Sequence, residues 1–267
     1  MMEKLEDLLA YLRQHGSVVV ALSGGVDSSV LARAAALALG EKAVAVTAVS
    51  ELLPEDELAD ARAMAKAAGI RHVELAAGDL AIPELVANDR NRCYYCKRGR
   101  FTKLCSWARR EGYAFVADGS NLDDRGDYRP GMKAIAELAP KVISPYMDCG
   151  WTKQDIRSQA KAWGLAVWNK PSAACLASRV EYDLPLTRDR LAQVEAAERA
   201  LRPFAAGQLR VRHHGSLARI EAEPAAFTAL ASHRREITSR LKALGFTYVT
   251  LDLAGYRMGS QNETLEK

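Results

Sequence analysis

The sequence predicts an α/β protein, a parallel-sheet domain followed by a smaller α+β domain. Three observations carry this. Short apolar, β-branched runs alternate with helical stretches through the first part of the chain, the pattern of a parallel sheet covered on both faces. That alternation stops after about residue 165, where a polar connection leads to hairpin-like runs. Of the 267 residues, 49% are hydrophobic, enough for a sizeable core. The expected domains are residues 1–168 and 169–267.

Residues 1–14 read as an amphipathic helix with acids among the apolar positions. Strands are expected at 17–22 (SVVVAL), 42–48, 71–75, 113–117 and 141–144. Helices are expected at 28–39, 55–68 with its acidic first turn, 92–110, and 152–163 after a Thr cap. In the second part, 187–201 reads as a helix. Residues 209–213 and 217–221 read as a hairpin turning at His214-Gly215-Ser216, and two short helices and a strand at 247–251 follow.

Ser23-Gly24-Gly25-Val26-Asp27-Ser28-Ser29 lies between the first strand and the first long helix. Glycines let the backbone approach a ligand closely, and the N–H groups and dipole of a helix start favour anions. Ser23, Ser28 and Ser29 offer hydroxyls to phosphate oxygens. Asp27 would be repelled by phosphate alone and makes chemical sense holding Mg²⁺. No Gly-Lys-Ser/Thr follows, so this is not a Walker A loop. It resembles the SGGxDS loop of the PP-loop ATP pyrophosphatases, which implies an adenine nucleotide alpha hydrolase-like (HUP) fold and cleavage of ATP to AMP and pyrophosphate. Ser144-Pro145 with Thr152-Lys153-Gln154-Asp155-Ile156-Arg157 resembles a further segment of those enzymes. Asp118-Gly119-Ser120-Asn121 falls just past a strand end, where ligands of such sheets bind. Arg125 and Arg129 follow it as candidates for phosphate or substrate contact, or as solvated surface.

The five cysteines are odd in number and irregularly spaced, which suits metal or catalytic roles better than a disulfide framework. Cys93 and Cys96 form a CxxC in which i and i+3 share a helix face. Arg92, Lys97 and Arg98 flank them with positive charge. The pair is equally compatible with a metal or cluster, a redox pair or chance. Cys175 lies among small residues in PSAACLASR (171–179), either as an accessible nucleophile beside Arg179 or as a small buried residue. Cys105 and Cys149 read as structural. Glu198 falls on the apolar seam of its helix, so it is expected to be paired with a cation or exposed at a subunit contact. Arg210 and Arg212 share one strand face and suit a phosphate or carboxylate, or a charged exterior. His213 and His214 read as turn residues rather than metal ligands.

RCYYCK (92–97), PSAACLASR, RVRHHGSLARIE (210–221) and LAGYRMGS (253–260) together resemble the LarE sulfur transferases, over nearly the whole chain. The resemblance implies a pyridinium-3,5-biscarboxylic acid mononucleotide sulfurtransferase of nickel-pincer nucleotide cofactor biosynthesis, which matures lactate racemase. ATP adenylates a carboxylate, sulfur displaces AMP, and the cycle repeats on the second carboxylate. Some family members sacrifice the sulfur of the cysteine matching Cys175. Others hold a 4Fe–4S cluster through cysteines matching Cys93, Cys96 and Cys175, and this chain has all three. Ser178, Arg179, Glu198, Arg210 and Arg212, with Arg125 and Arg129, are the expected substrate contacts. A separate sulfur donor and a homo-oligomer, such as a hexamer, are implied.

The net charge of +4 is mild and does not call for a nucleic-acid partner. No signal-peptide pattern and no span of the length needed to cross a bilayer are visible, so a cytoplasmic protein without a membrane partner is expected. Two other functions remain open: a different PP-loop enzyme, such as one thiolating tRNA or a zinc-containing nucleoside enzyme, and a non-enzymatic nucleotide sensor.

Overall fold

A computed structural model describes residues 2–126, 130–171 and 174–264. The described residues form two compact units. One draws on Met1–Ile82 and Cys93–Ala173, the other on Pro83–Arg92 and Ala174–Lys267. The division falls a few residues beyond the expected 168/169 cut, and the second unit also takes a segment from the first part of the chain.

The first unit contains α1 (Met2–His15), β1 (Val18–Ala21), α2 (Val26–Leu39), β2 (Ala43–Val49), α3 (Glu55–Ala68), β3 (Arg71–Ala76), α4 (Arg92–Arg110, whose first residue belongs to the second unit), β4 (Phe115–Ala117), β5 (Val142–Ile143) and α5 (Lys153–Ala162). Its five strands are all parallel, in the order β3-β2-β1-β4-β5. Alternation at β1 explains why helices cover both faces. Val18 and Val20 pack with α1, α2, α3 and α5, whereas Val19 packs with Phe101, Leu104 and Trp107 of α4. All three valines are fully buried, each contributing about 1.5–3 kcal/mol of apolar burial. At α5, Thr152 and Asp155 form a capping box, each side chain bonded to the other's backbone N–H. The strands therefore end together on one side of the sheet, and the loops that follow β1 and β4 meet there.

The second unit contains α6 (Arg188–Leu201), β6 (Leu209–His214), β7 (Leu217–Ala222), α7 (Phe227–Ser232), α8 (Arg234–Ala243) and β8 (Tyr248–Leu251). β6 and β7 form the expected antiparallel hairpin, with Gly215 at φ +66° in its turn, and β8 pairs parallel to β7. Leu201, Val211, Ile220, Leu230, Ile237 and Leu241 form part of one core between this sheet and its helices. Val180 makes an isolated parallel bridge to His213, so the segment carrying Cys175 continues onto the edge of β6.

Among the described residues no helix is long and apolar enough to cross a membrane.

Candidate active site

The phosphate loop starts from a fixed entry. Leu22 donates its N–H to Val46 O at 2.9 Å, and its carbonyl accepts from Thr47 Oγ1 at 2.9 Å. Gly24 has φ +80°, and a Cβ placed on it would lie 2.8 Å from both Ala61 N and Glu57 O of α3. Only glycine allows both this turn and this approach of the loop to α3. α2 begins at Val26 rather than at Ser28, so Asp27, Ser28 and Ser29 sit in its first turn. The hydroxyls of Ser28 and Ser29 donate to Gly25 O at 3.2 and 2.8 Å, and Ser28 Oγ lies 3.1 Å from Ser23 Oγ. These hydroxyls brace the loop, and its attraction for anions comes from the backbone N–H groups of the helix start.

Acids and cations of the β4 and β5 ends close around the loop. Asp27 Oδ2 is ion-paired with Lys153 Nζ, and Asp27 Oδ1 accepts from Asn121 Nδ2 at 3.3 Å. Buried Tyr146 donates its hydroxyl to the carbonyl of Asp27 at 2.9 Å. Burial, reinforced by the charge of Asp27, pushes its phenol well above the ordinary range and keeps it a donor. Asp118 accepts from Ser144 Oγ at 2.6 Å, Ser120 Oγ at 2.5 Å and Lys97 Nζ at 3.1 Å. A Cβ on the next residue, Gly119, would lie 3.4 Å from Asp27 Cβ and Ser28 N, so this segment packs directly on the loop. Lys97 and Lys153 remain part-exposed. Two ammonium groups and a helix N-terminus at the carboxyl end of a parallel sheet suit a polyphosphate.

Among the described residues no three His, Cys, Asp or Glu side chains group closely enough to hold a metal by themselves. That fits Mg²⁺, which uses one or two carboxylates and otherwise water and substrate phosphate. Asp27 is the carboxylate the loop offers. Cys93 and Cys96 lie one turn apart at the start of α4, the former exposed and the latter half-buried. They belong to the first unit and Cys175 to the second.

In the second unit the thiol segment is braced by its own arginine. Buried Arg179 donates to the carbonyls of Ala174 and Cys175 at 2.5 and 3.0 Å and to Ser178 Oγ at 3.1 Å. Its other side meets both oxygens of Glu198, at 3.0 and 3.3 Å. Glu198 thus takes the cation-paired form that its place on the apolar seam demands. It also accepts from Val211 N at 3.1 Å, which ties α6 to β6. Ser178 Oγ donates to Cys175 O at 2.7 Å. The Cys175 backbone is held from two sides while its side chain stays half-exposed.

Arg210 and Arg212 are not equivalent. Arg212 is buried and neutralised: it donates to Glu221 at 2.7 and 3.0 Å, to Ser260 Oγ at 3.0 Å and to Ser178 O at 2.9 Å. Arg210 lies over the ring of Tyr256 at 5.3 Å and forms no ion pair among the described residues. Burial, and then the neighbouring charge of Arg179, lower the pKa of its guanidinium, the condition in which a cation gains from an anionic ligand. Arg125 lies in a 3-10 segment, Leu122–Gly126, with its side chain outside the described residues, as is all of Arg129. His213 and His214 end β6. His213 is buried, with Nε2 2.9 Å from Gln193 Oε1.

Residues 3–88 match the family model described as asparagine synthase. An uncharacterized protein of Synechocystis sp. is 40% identical over 266 residues, 99% of this chain and 98% of its own length. The pyridinium-3,5-bisthiocarboxylic acid mononucleotide synthase of Lactiplantibacillus plantarum is 36% identical over 265 residues, 99% of this chain and 95% of its own. The chain belongs to the LarE family. An uncharacterized protein of Methanocaldococcus jannaschii is 29% identical over 256 residues, 95% and 96% of the two chains.

In this LarE-family chain the phosphate loop and the Cys175 segment lie where the sequence motifs place them, on a strand-to-helix turn and a braced connection. Asp118, Ser144 and Lys153 stand in segments that the sequence pointed to without giving each residue a role, Lys97 carried only a flanking charge beside the CxxC, and Tyr146 had no signal. Lys153 had a signal, since it stands one residue after the Thr cap in the segment resembling other PP-loop enzymes. Lys97 follows Cys96, where its charge read as belonging to the CxxC rather than to Asp118. Glu221, which neutralises Arg212 and also meets Arg219 at 3.1 Å, had no local signal.

Proposed function

We propose that this sulfurtransferase adenylates a carboxylate of pyridinium-3,5-biscarboxylic acid mononucleotide and converts it to a thiocarboxylate, twice per substrate molecule, within nickel-pincer nucleotide cofactor biosynthesis and lactate racemase maturation. The observation that carries this is the pairing, in one chain, of a phosphate loop flanked by Lys97 and Lys153 with a half-exposed thiol on a braced segment. The 36% identity to a relative bearing the corresponding product name supports the same function.

A carboxylate is a poor electrophile because its leaving group is poor. Its oxygen attacks the α-phosphorus of ATP, pyrophosphate leaves, and the acyl carbon now carries AMP. Gly24, Gly25 and the first N–H groups of α2 hold the departing pyrophosphate. Lys97 and Lys153 offset its charge by turning from Asp118 and Asp27 to phosphate. Asp27 is then available to Mg²⁺, which would neutralise phosphate charge. Sulfur attacks the acyl carbon and AMP leaves. Arg179 and Ser178 fix the backbone of Cys175 for that step. Arg210, Arg125 and Arg129 are each candidates for the substrate's phosphate or second carboxylate, whereas Arg212 and Glu198, paired with Glu221 and Arg179, brace the second unit. A 4Fe–4S cluster bound by Cys93, Cys96 and Cys175 would leave one iron without a protein thiolate and there supply sulfide. Residues 1–168 bind and cleave ATP, residues 169–267 bind substrate and associate into a homo-oligomer, and the reaction runs in the cytoplasm without nucleic acid.

The test is one anaerobic incubation of the full chain with ATP, Mg²⁺, sulfide and the biscarboxylic mononucleotide, read by mass spectrometry. Thiocarboxylate, AMP and pyrophosphate should appear over many turnovers, with iron and acid-labile sulfide bound and Cys175 intact. Iron-free protein in which Cys175 becomes dehydroalanine after a single turnover would refute the cluster. Absence of any thiocarboxylate would refute the function.

A further inference from the structure

Residues 83–92 precede the CxxC and yet belong to the second unit, so the chain passes from the second unit to the first at the peptide bond between Arg92 and Cys93. Asn88 holds this segment in place. It is fully buried, with φ +59°, a left-handed conformation that asparagine adopts more readily than most residues. Its side chain uses both amide hydrogens and its oxygen. Nδ2 donates to Glu181 O at 2.8 Å and to Leu184 O at 2.9 Å, and Oδ1 accepts from Arg92 Nη1 at 2.7 Å. Backbone bonds run the other way: Asp183 N donates to Asn88 O at 3.2 Å and Leu186 N to Val86 O at 2.8 Å.

Arg92, the first residue of α4 and itself buried, completes the clamp. Its guanidinium also reaches Val180 O at 3.4 Å and lies 4.3 Å from the ring centre of Tyr182. It forms no ion pair among the described residues. A buried cation facing neutral groups costs stability, and a positive charge at a helix N-terminus adds to that cost. Stability therefore does not explain the arrangement, whereas geometry does. The clamp ties the residue before Cys93 to Val180, and Val180 follows Arg179, whose guanidinium braces the backbone of Cys175. Asn88, Arg92, Val180, Arg179 and Cys175 all lie in the second unit.

We propose that Asn88 and Arg92 are positioning residues for sulfur transfer, holding the start of the CxxC helix to the backbone that leaves the Cys175 segment. The idea rests on the sulfur-transfer function proposed above for its effect on turnover, but not for its first test. Asn88→Gly keeps the left-handed backbone and removes the three side-chain bonds. Arg92→Met removes the cation, keeps the stem, and carries the test should Asn88→Gly fold poorly. Arg92→Lys is the conservative variant, with a cation and a donor still available to Asn88 Oδ1.

The first test is hydrogen–deuterium exchange of the full chain without ligand. In Asn88→Gly and Arg92→Met, exchange should rise about tenfold in peptides from 84–92 and from 180–187 together, the scale of one or two lost hydrogen bonds. It should stay unchanged in the hairpin, residues 209–222, and in the phosphate loop, residues 23–29. Arg92→Lys should stay near the wild type. A rise in one segment alone, in neither, or across the whole second unit overturns the clamp whatever reaction the enzyme performs. In turnover, substrate-dependent ATP–pyrophosphate exchange should persist in Arg92→Met while thiocarboxylate formation falls about tenfold to a hundredfold, the scale of a small misplacement of reacting groups. Arg92→Lys should restore most of that loss. A parallel fall of both rates, or no rescue by lysine, would mark a merely structural role and overturn the proposal. A wild type that forms no thiocarboxylate refutes the function proposed above, and hydrogen–deuterium exchange then decides the clamp by itself.

Discussion

The two units solve the problem of polar groups near a core in opposite ways. In the first, charge gathers at the ends of β1, β4 and β5, where Lys97 and Lys153 stay part-exposed and can exchange a carboxylate for a phosphate. In the second, Arg179, Glu198, Arg212 and Glu221 are all nearly buried and saturate one another. Arg210, on the same strand face as Arg212, forms no ion pair among the described residues. The lesson is that an arginine's type and strand position do not tell whether it serves a ligand or the scaffold. The number and burial of its partners do.

The largest test of that contrast is Glu221→Ala. Glu221 is fully buried and accepts from Arg212, Arg219 and Ser260. Its removal leaves Arg212 buried without its counter-charge, a loss of about 3–5 kcal/mol for a broken buried pair. Urea unfolding should show it in the transition of the second unit, with Arg219 still paired to Asp252 at 2.8 Å. A loss below about 1 kcal/mol would mean the network is no more than a surface array.

Gly24→Ala asks the complementary question of the first unit. The residue would be forced into a left-handed conformation, and its methyl would meet backbone atoms of α3 that cannot rotate away. The expected stability cost is about 1–3 kcal/mol. Activity should suffer more, because the loop must shift: ATP–pyrophosphate exchange should fall about a hundredfold. Normal exchange in a folded variant would show that the close approach to α3 does not matter to nucleotide binding.

The same contrast explains what could be read in the sequence. The parallel sheet was legible because its signals are local: apolar runs such as 17–22, a Thr cap three residues before Asp155, a glycine-rich loop between strand and helix. The phosphate loop was legible for the same reason, and even its one shift, α2 starting at Val26, moved residues within a turn. The bonds that decide the second unit join distant positions. Arg179 meets Glu198 across a helix, and Arg212 meets Ser260 from the far end of the unit. No periodicity reveals such pairs, so Arg210 and Arg212 looked alike on one strand face. In the first unit the Asp118 segment was legible at a strand end, but its partners Lys97 and Ser144 were not, since they reach it from two separate parts of the chain.

The smallest expected effect concerns a charge that belongs to the scaffold of the first unit, and it separates that unit's exposed ion pairs from the buried ones of the second. Asp155 accepts from Lys4 Nζ at 2.7 Å and from the N–H and hydroxyl of Thr152 at 3.0 and 2.8 Å. Burial alone would raise its pKa, but these bonds prevail and hold it at about 2, below the ordinary 3.8. A carboxyl whose pKa is depressed by folding stabilises the protein above its unfolded value and loses that contribution as pH falls through the folded one. Asp155 should therefore contribute fully above about pH 4 and progressively less towards pH 2. Lys4 is part-exposed and the pair is screened, so the contribution should be about 1 kcal/mol rather than the full linkage value. Urea unfolding of wild type and Asp155→Asn at pH 6 and pH 3 measures it. The gap between them should narrow at the lower pH, because Asp155 is then largely protonated in the unfolded chain and folding must expel that proton. A gap of equal size at both pH values would show that Asp155 acts through its neutral cap geometry and not through its charge.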